Sequence, residues 1–350
     1  AMTNSIGDLT TAEVIIVTGS NTTETHPVIG MRLRQSARYK GVKLIVIDPR
    51  RIDLVEEATL FLQPKPGHDS AWLNGLAHII IKEELYDKKF VEENTEGFEN
   101  IKSVVEKYTP EYVEEITGIK KEDLIKAARM YATAKKAAIA YCMGITQHSK
   151  GTDNVKAISN LALLCGHIGK EGSGVNPLRG QNNVQGACDM GGLPNVYPGY
   201  QNVTVPANKE KFESFWNAKL SDKVGLTVVE MSNQAYEGKL KAMYIMGENP
   251  LITDPDLDHV EEALKKLELL VVQDIFLTET AKIAHVVLPS ASFAEKDGTF
   301  VNTERRVQRI RKAIDSPGLV KEDWKIICEL STRMGYKMEY RNAEEVFEEI

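Results

Sequence analysis

Two short turns hold the residues best suited to grip a ligand. Gly19-Ser20-Asn21 follows the apolar run Val14–Thr18, and Gly247-Glu248-Asn249 follows Ala242–Met246. Each turn is answered by an aspartate that closes the next apolar run. Asp48 stands 29 residues after Gly19, and Asp274 stands 27 residues after Gly247. Glycine lets the backbone turn tightly and approach a phosphate, and the helix start that follows offers unpaired N–H groups. An aspartate at a strand's carboxyl end sits where a ribose or base edge would lie. One Gly-x-Asn turn is ordinary loop chemistry; two copies with matching aspartates point to two nucleotides held by one chain. The bland alternative is a pair of flavodoxin-like layers whose turns only close loops. Neither turn carries the Gly-x-Gly-x-x-Gly fingerprint or a Gly-Lys-Ser/Thr loop, which disfavours an ordinary dehydrogenase or ATPase.

Such turns need parallel strands to present them. Short apolar runs at 14–18, 43–47, 137–141, 242–246, 269–273 and 285–288 alternate with longer helical patterns, the signature of crossover units. The fold class is therefore α/β: two Rossmann-like, doubly wound parallel-sheet domains related by a weak internal repeat. Helices are expected over 28–38, with Pro27 in the first turn, over 70–84, and through Tyr131 from a cap at Thr117. A Gly- and Asn-rich belt from Gly166 to Tyr200 lacks periodicity and is too long for a passive loop. The Pro-containing piece Asn202–Lys209 reads as an insertion or linker. Domain boundaries are expected at 1–181, 182–293 and 294–350, the last segment packing with domains beyond these residues.

Composition excludes several classes of partner. A chain of 350 residues is long enough for two cores. Its net charge of −7 speaks against a general nucleic-acid or anionic-membrane surface. No apolar run reaches the roughly 18 residues that span a bilayer, and the opening Ala1–Ser5 lacks a signal-peptide pattern. The cytoplasm is the expected compartment, with an export signal on an upstream segment left open. Cys142, Cys165, Cys188 and Cys328 form no Cys-x-x-Cys pair, so no local zinc or iron–sulfur cradle is expected, and reduced, mostly buried thiols are.

The belt Gly174-Val-Asn-Pro-Leu-Arg179-Gly-Gln181-Asn-Asn-Val-Gln-Gly-Ala-Cys188-Asp-Met-Gly191 closely resembles the catalytic (alpha) subunit of molybdenum- or tungsten-dependent formate dehydrogenases of the dimethyl sulfoxide reductase family. Further segments join the resemblance: Gly19 through Pro27, Asp48-Pro49-Arg50, Met143 through Gln147, Met246 through Pro250, and Gln273 through Ala281. It implies two molybdopterin guanine dinucleotides on one metal, one per α/β domain. By that resemblance Gly19, Asn21, Glu24, Asp48, Arg50 and Asp69 contact one guanosine diphosphate arm. Gly247, Asn249, Thr253, Asp274 and Thr278 contact the other, and Met143, Gly144, Gln147 and Gln181 lie near the pterins. No residue of the chain is assigned to the metal.

Arg179 is the expected catalytic residue, because a guanidinium stays charged and can present two parallel N–H donors to a carboxylate such as formate. The alternative is an arginine that holds only a cofactor phosphate. His26 is expected to shape the loop and helix entry, and His148 to be a surface or supporting group. His167 could lie near the cofactor or cap a turn. Arg305, Arg306, Arg309 and Arg311 could meet a phosphate or face solvent or a partner.

The resemblance also implies parts outside these residues. They are an N-terminal domain with a 4Fe-4S cluster, a selenocysteine or cysteine metal ligand, and a C-terminal β-barrel. The chain is thus expected to be a central fragment that does not oxidise formate alone and retains cofactor weakly. Formate and an iron–sulfur or other electron-transfer subunit are the expected partners. Rival readings are a nitrate-reductase-type enzyme of the same family and a non-catalytic carrier of the guanine cofactor.

Overall fold

Val14–Thr18 forms the central strand β1 because five consecutive apolar or β-branched residues suit a strand covered on both faces. In the computed structural model, which describes residues 1–350, all five are buried. The partners of β1 are β2 (Lys43–Ile47) and β4 (Ala137–Tyr141), with β3 (Leu60–Leu62) and β5 (Gly174–Pro177) outside them. All pairings are parallel, in the order β3-β2-β1-β4-β5. The register sets Thr18 beside Ile47 and beside Tyr141. Gly19, Asp48 and Cys142, the next residue of each strand, therefore leave the sheet in one row.

Alternation along β1 divides its side chains between two cores. Val14 and Ile16 join Ile45, Ile47 and Ile139 against Trp72, Leu73, Leu76 and Ile80 of the helix Asp69–Lys82. Ile15 and Val17 join Leu44 and Val46 against Ile29 and Leu33 of the helix Pro27–Lys40. Each such side chain, fully buried, contributes about 1.5–3 kcal/mol. Pro27 opens its helix where the missing N–H is harmless.

The second unit begins with the small antiparallel pair β6 (Val196–Tyr197) and β7 (Gln201–Asn202). It then builds a parallel sheet from β8 (Ala242–Met246), β9 (Leu269–Asp274) and β10 (Val286–Pro289), ordered β10-β9-β8. Ile245, Leu270 and Val272 pack against Ala235, Val260, Ala263 and Leu264 from the helices Val228–Tyr236 and Leu257–Lys265. A hairpin of β11 (Gly298–Val301) and β12 (Val307–Ile310) follows. The chain resolves into one unit of 1–185 with 301–306, and another of 186–300 with 307–350. Six residues at the tip of the last hairpin thus count with the first unit.

Three sequence expectations are revised or resolved. Thr117 does not cap the helix Lys121–Ala132; it ends the helix Pro110–Thr117, where its hydroxyl donates to the Val113 carbonyl at 2.7 Å. The stretch 202–209 is no linker, since Pro206 opens a helix to Trp216 whose Phe212 stacks near Tyr197. The belt is ordered by β5, the helix Val184–Asp189 and β6. All four cysteines are free, Cys165 and Cys328 buried and the other two partly so. Burial pushes the Cys165 thiol up to about 12, so it stays protonated at neutral pH.

His167, left open by the sequence, is a core residue. Its Nε2 lies 3.0 Å from the Tyr131 carbonyl oxygen, to which it donates, while the buried Nδ1 has no partner. Burial lowers its pKa from 6.5 to about 4. The unfolded chain therefore takes up the proton first. Stability from this group is complete above about pH 6.5 and lost as pH falls to about 4, a drop of at most about 3 kcal/mol. Urea midpoints measured across that window should show the slope, and His167→Asn should flatten it; equal slopes would mean that other groups carry the acid sensitivity.

Candidate functional site

The residues singled out in the first unit come from the carboxyl ends of all five strands. Gly19 ends β1 with φ of +56°, a conformation that L side chains avoid. It also meets the corner after β4: a Cβ on Gly19 would lie 2.7 Å from Gly144 C, and the Gly144 N–H donates to the Gly19 carbonyl at 3.0 Å. Asn21 then starts the short helix Thr22–Thr25, its carbonyl accepting the N–H groups of Glu24 and Thr25. Glu24 is exposed within that turn.

Asp48, 8% exposed, closes β2 and accepts the Arg50 N–H at 2.9 Å. Asp69 follows β3 at the start of its helix. Burial raises the pKa of both carboxyls, and the charge of Asp69 adds to the effect on Asp48. The Trp72 indole N–H and His148 oppose the shift at Asp69. A half-dehydrated carboxylate pair of this kind is stabilised by any ligand that brings N–H donors. Arg50 is exposed.

After β4 come Met143 and Gly144 in a short helical turn, then exposed Gln147. His148 Nε2 donates to the Gly144 carbonyl at 2.7 Å and lies 3.8 Å from Asp69. After β5 comes Arg179, part-buried, its Nε donating to Gln185 Oε1 at 3.2 Å, with exposed Gln181 two residues on. No hydrogen bond to a protein group occupies its terminal guanidinium nitrogens.

The second unit repeats the first corner nearly bond for bond. Gly247 ends β8 with φ of +65°, and Asn249 starts the helix Pro250–Thr253. The N–H groups of Ile252 and Thr253 reach the Asn249 carbonyl at 2.9 and 3.1 Å, as those of Glu24 and Thr25 reach Asn21 at 3.0 Å. Thr25 and Thr253, each six residues past its glycine, both set their hydroxyls against the asparagine carbonyl, at 3.1 and 3.2 Å, with His26 Nδ1 at 2.8 Å and Glu248 at 2.7 Å as the nearer acceptors. Asp274 accepts the Phe276 N–H two residues on, as Asp48 accepts that of Arg50. Thr278 caps the next turn by accepting the Ala281 N–H. Unlike Gly19, Gly247 has open space: a Cβ there would meet nothing within 4 Å.

Asn249 also ties the corner down, accepting the Thr280 hydroxyl at 2.7 Å and N–H at 3.1 Å while donating to Glu279. Asn249→Ala would strand the buried Thr280 and should destabilise the second unit by about 1–2 kcal/mol. A urea titration followed by hydrogen exchange within 242–289 would read this; an unchanged midpoint would show the corner to be held by its backbone alone.

Residues that the sequence did not single out complete the first site. Asn154, 3% exposed, accepts the Ser70 hydroxyl at 2.6 Å and donates to the Ile145 carbonyl at 3.1 Å. A lone asparagine among the apolar positions of the helix Gly151–Leu164 was the available signal. Thr303 and Gln185 both touch Arg179, and no local pattern marks either. Arg306 of the basic cluster lies 3.4 Å from Glu304.

The sequence model described as molybdopterin oxidoreductase matches residues 1–333. The F420-dependent formate dehydrogenase subunit alpha of Methanocaldococcus jannaschii is 54% identical over 352 residues, covering 100% of this chain and 52% of that protein. Formate dehydrogenase H of Escherichia coli is 47% identical over 351 residues, covering 100% of this chain and 49% of that protein. Among solved structures, acetylene hydratase from Pelobacter acetylenicus superposes with a TM-score of 0.79 at 25% identity, over 99% of this chain and 50% of that one. The chain spans about half the length of the relatives it matches. No helix is long and apolar enough to cross a membrane.

Proposed function

The chain belongs to the molybdopterin oxidoreductase family, and we propose that it forms the cofactor-cradling part of a formate dehydrogenase alpha subunit. The duplicated corner, matched from Gly19 to Asp48 and from Gly247 to Asp274, is the observation that carries this reading. Two equivalent corners suit two molybdopterin guanine dinucleotides. Guanine presents N–H donors along one edge, and Asp48 and Asp274 are acceptors at the matching strand ends. The open side of Gly247 leaves room for a phosphate against the backbone. Asn21, Glu24, Arg50 and Asp69 on one side, and Asn249, Thr253 and Thr278 on the other, would line the two arms. Met143, Gly144, Gln147 and Gln181 would face the pterins.

When bound, the molybdenum or tungsten bis(pterin) group supplies the two-electron chemistry by which formate becomes carbon dioxide, releasing one proton. The chain's own residues bind and orient. Arg179 offers its free terminal N–H pair to the carboxylate, which recruits formate and directs its C–H away from the guanidinium. Tyr141, whose hydroxyl burial keeps protonated, lies near enough to feel the Arg179 charge. Electrons would leave to an iron–sulfur or other electron-transfer partner.

Formate with a dye acceptor, given to the complete protein, tests the reading. Dye reduction that depends on formate is expected. Nitrate reduction without formate oxidation would move the chain to the nitrate-reductase type, and guanine-cofactor binding with no turnover at all would make it a carrier.

A further inference from the structure

Arg179 stands just past the edge strand of its sheet, where regular pairing ends. The ladder continues one residue beyond β5, with the Leu178 N–H donating to the Tyr141 carbonyl at 2.7 Å. Neither backbone polar group of the next residue, Arg179, pairs with a strand. Two distant side chains take that place. Thr303 Oγ1 accepts the Arg179 N–H at 3.0 Å and donates its single proton to the Pro177 carbonyl at 2.6 Å. His26 Nε2 donates to the Arg179 carbonyl at 2.5 Å, while the Thr25 hydroxyl, 2.8 Å from Nδ1, fixes that nitrogen as the acceptor.

We propose that His26 and Thr303 are positioning residues for the carboxylate-binding guanidinium, clamping the Arg179 backbone by its carbonyl and its N–H. This rests on the reading of Arg179 as the formate anchor. The side chain is held only once, at Nε by Gln185. Where the terminal nitrogens lie therefore depends on where the Cα is fixed, and a displacement of about 1 Å is enough to spoil bidentate capture. His26 ends the short helix Thr22–Thr25 that starts from the Gly19-Ser20-Asn21 corner. The clamp thus registers the guanidinium against the same corner that would hold the first nucleotide arm. Thr303 is itself anchored: it is 9% exposed, and its carbonyl accepts the Met2 N–H at 3.1 Å. Two residues away, the Val301 N–H donates to Asn183 at 2.9 Å.

The test compares Thr303→Val, Thr303→Ser, His26→Phe and Arg179→Lys in the complete, cofactor-loaded protein. Thr303→Val keeps the shape and removes both bonds; Thr303→Ser keeps the hydroxyl. Thr303→Val should raise KM for formate about tenfold while kcat changes by less than about threefold. Deuterium exchange at the Arg179 amide should quicken about tenfold, and Thr303→Ser should restore both values. His26→Phe frees only the carbonyl and should raise KM in the same direction, so the inference survives if the valine variant fails to fold. It is overturned if a folded, loaded Thr303→Val or His26→Phe leaves KM within twofold of the parent while Arg179→Lys raises it. An unchanged KM in Arg179→Lys would instead remove Arg179 as the anchor, and the clamp's purpose with it.

Discussion

Arg179→Lys in the complete protein is expected to raise KM for formate by ten- to a hundredfold. Lysine keeps the charge but loses the planar fork, so one of two parallel charge-assisted bonds to the carboxylate disappears. Such a bond contributes about 1.5–3 kcal/mol, and each 1.4 kcal/mol is a factor of ten. Charge alone would still attract the anion, which is why lysine separates geometry from electrostatics. Steady-state kinetics with formate and a dye acceptor give the answer. A KM that does not move would assign Arg179 to cofactor phosphate rather than substrate.

Gly19→Ala is expected to lower the melting temperature of the first unit by about 10 °C and to strip its affinity for a guanine nucleotide. Two penalties add. A left-handed backbone costs an L residue about 1–2 kcal/mol. The new methyl would also press 2.7 Å from Gly144 C and Ile145 N, which are backbone atoms that cannot rotate away. Overpacking of that kind costs about 1–3 kcal/mol, and each kcal/mol moves the transition by roughly 2–4 °C in a unit of this size. Gly247→Ala is the internal control. It shares the positive φ, but its methyl would meet nothing within 4 Å, so only the smaller penalty applies. Equal shifts from the two substitutions would show that the contact with Gly144 is soft.

Legibility in the sequence followed the range of the interaction. The strands Val14–Thr18, Lys43–Ile47 and Ala137–Tyr141 were readable because each, apart from the exposed Lys43, is a run of neighbours buried on two faces. The paired corners were readable because glycine, asparagine and aspartate mark their own backbone geometry. Thr117 misled because a threonine before a helical pattern suits a cap as well as it suits the end of the preceding helix. His167 was undecidable because its partner, the Tyr131 carbonyl, lies 36 residues back and belongs to no pattern. The grip on Arg179 was least visible of all. Thr303 and His26 reach it across 124 and 153 residues, and a pairing at that separation leaves no periodic trace.

The six hairpin residues that count with the first unit have a practical consequence for anyone cutting the gene. Truncation at Gln185 would yield a protein with its sheet whole but without Thr303, and so with a loosened arginine. A faithful excision would need the hairpin tip grafted back, as a fused peptide or a rearranged reading frame.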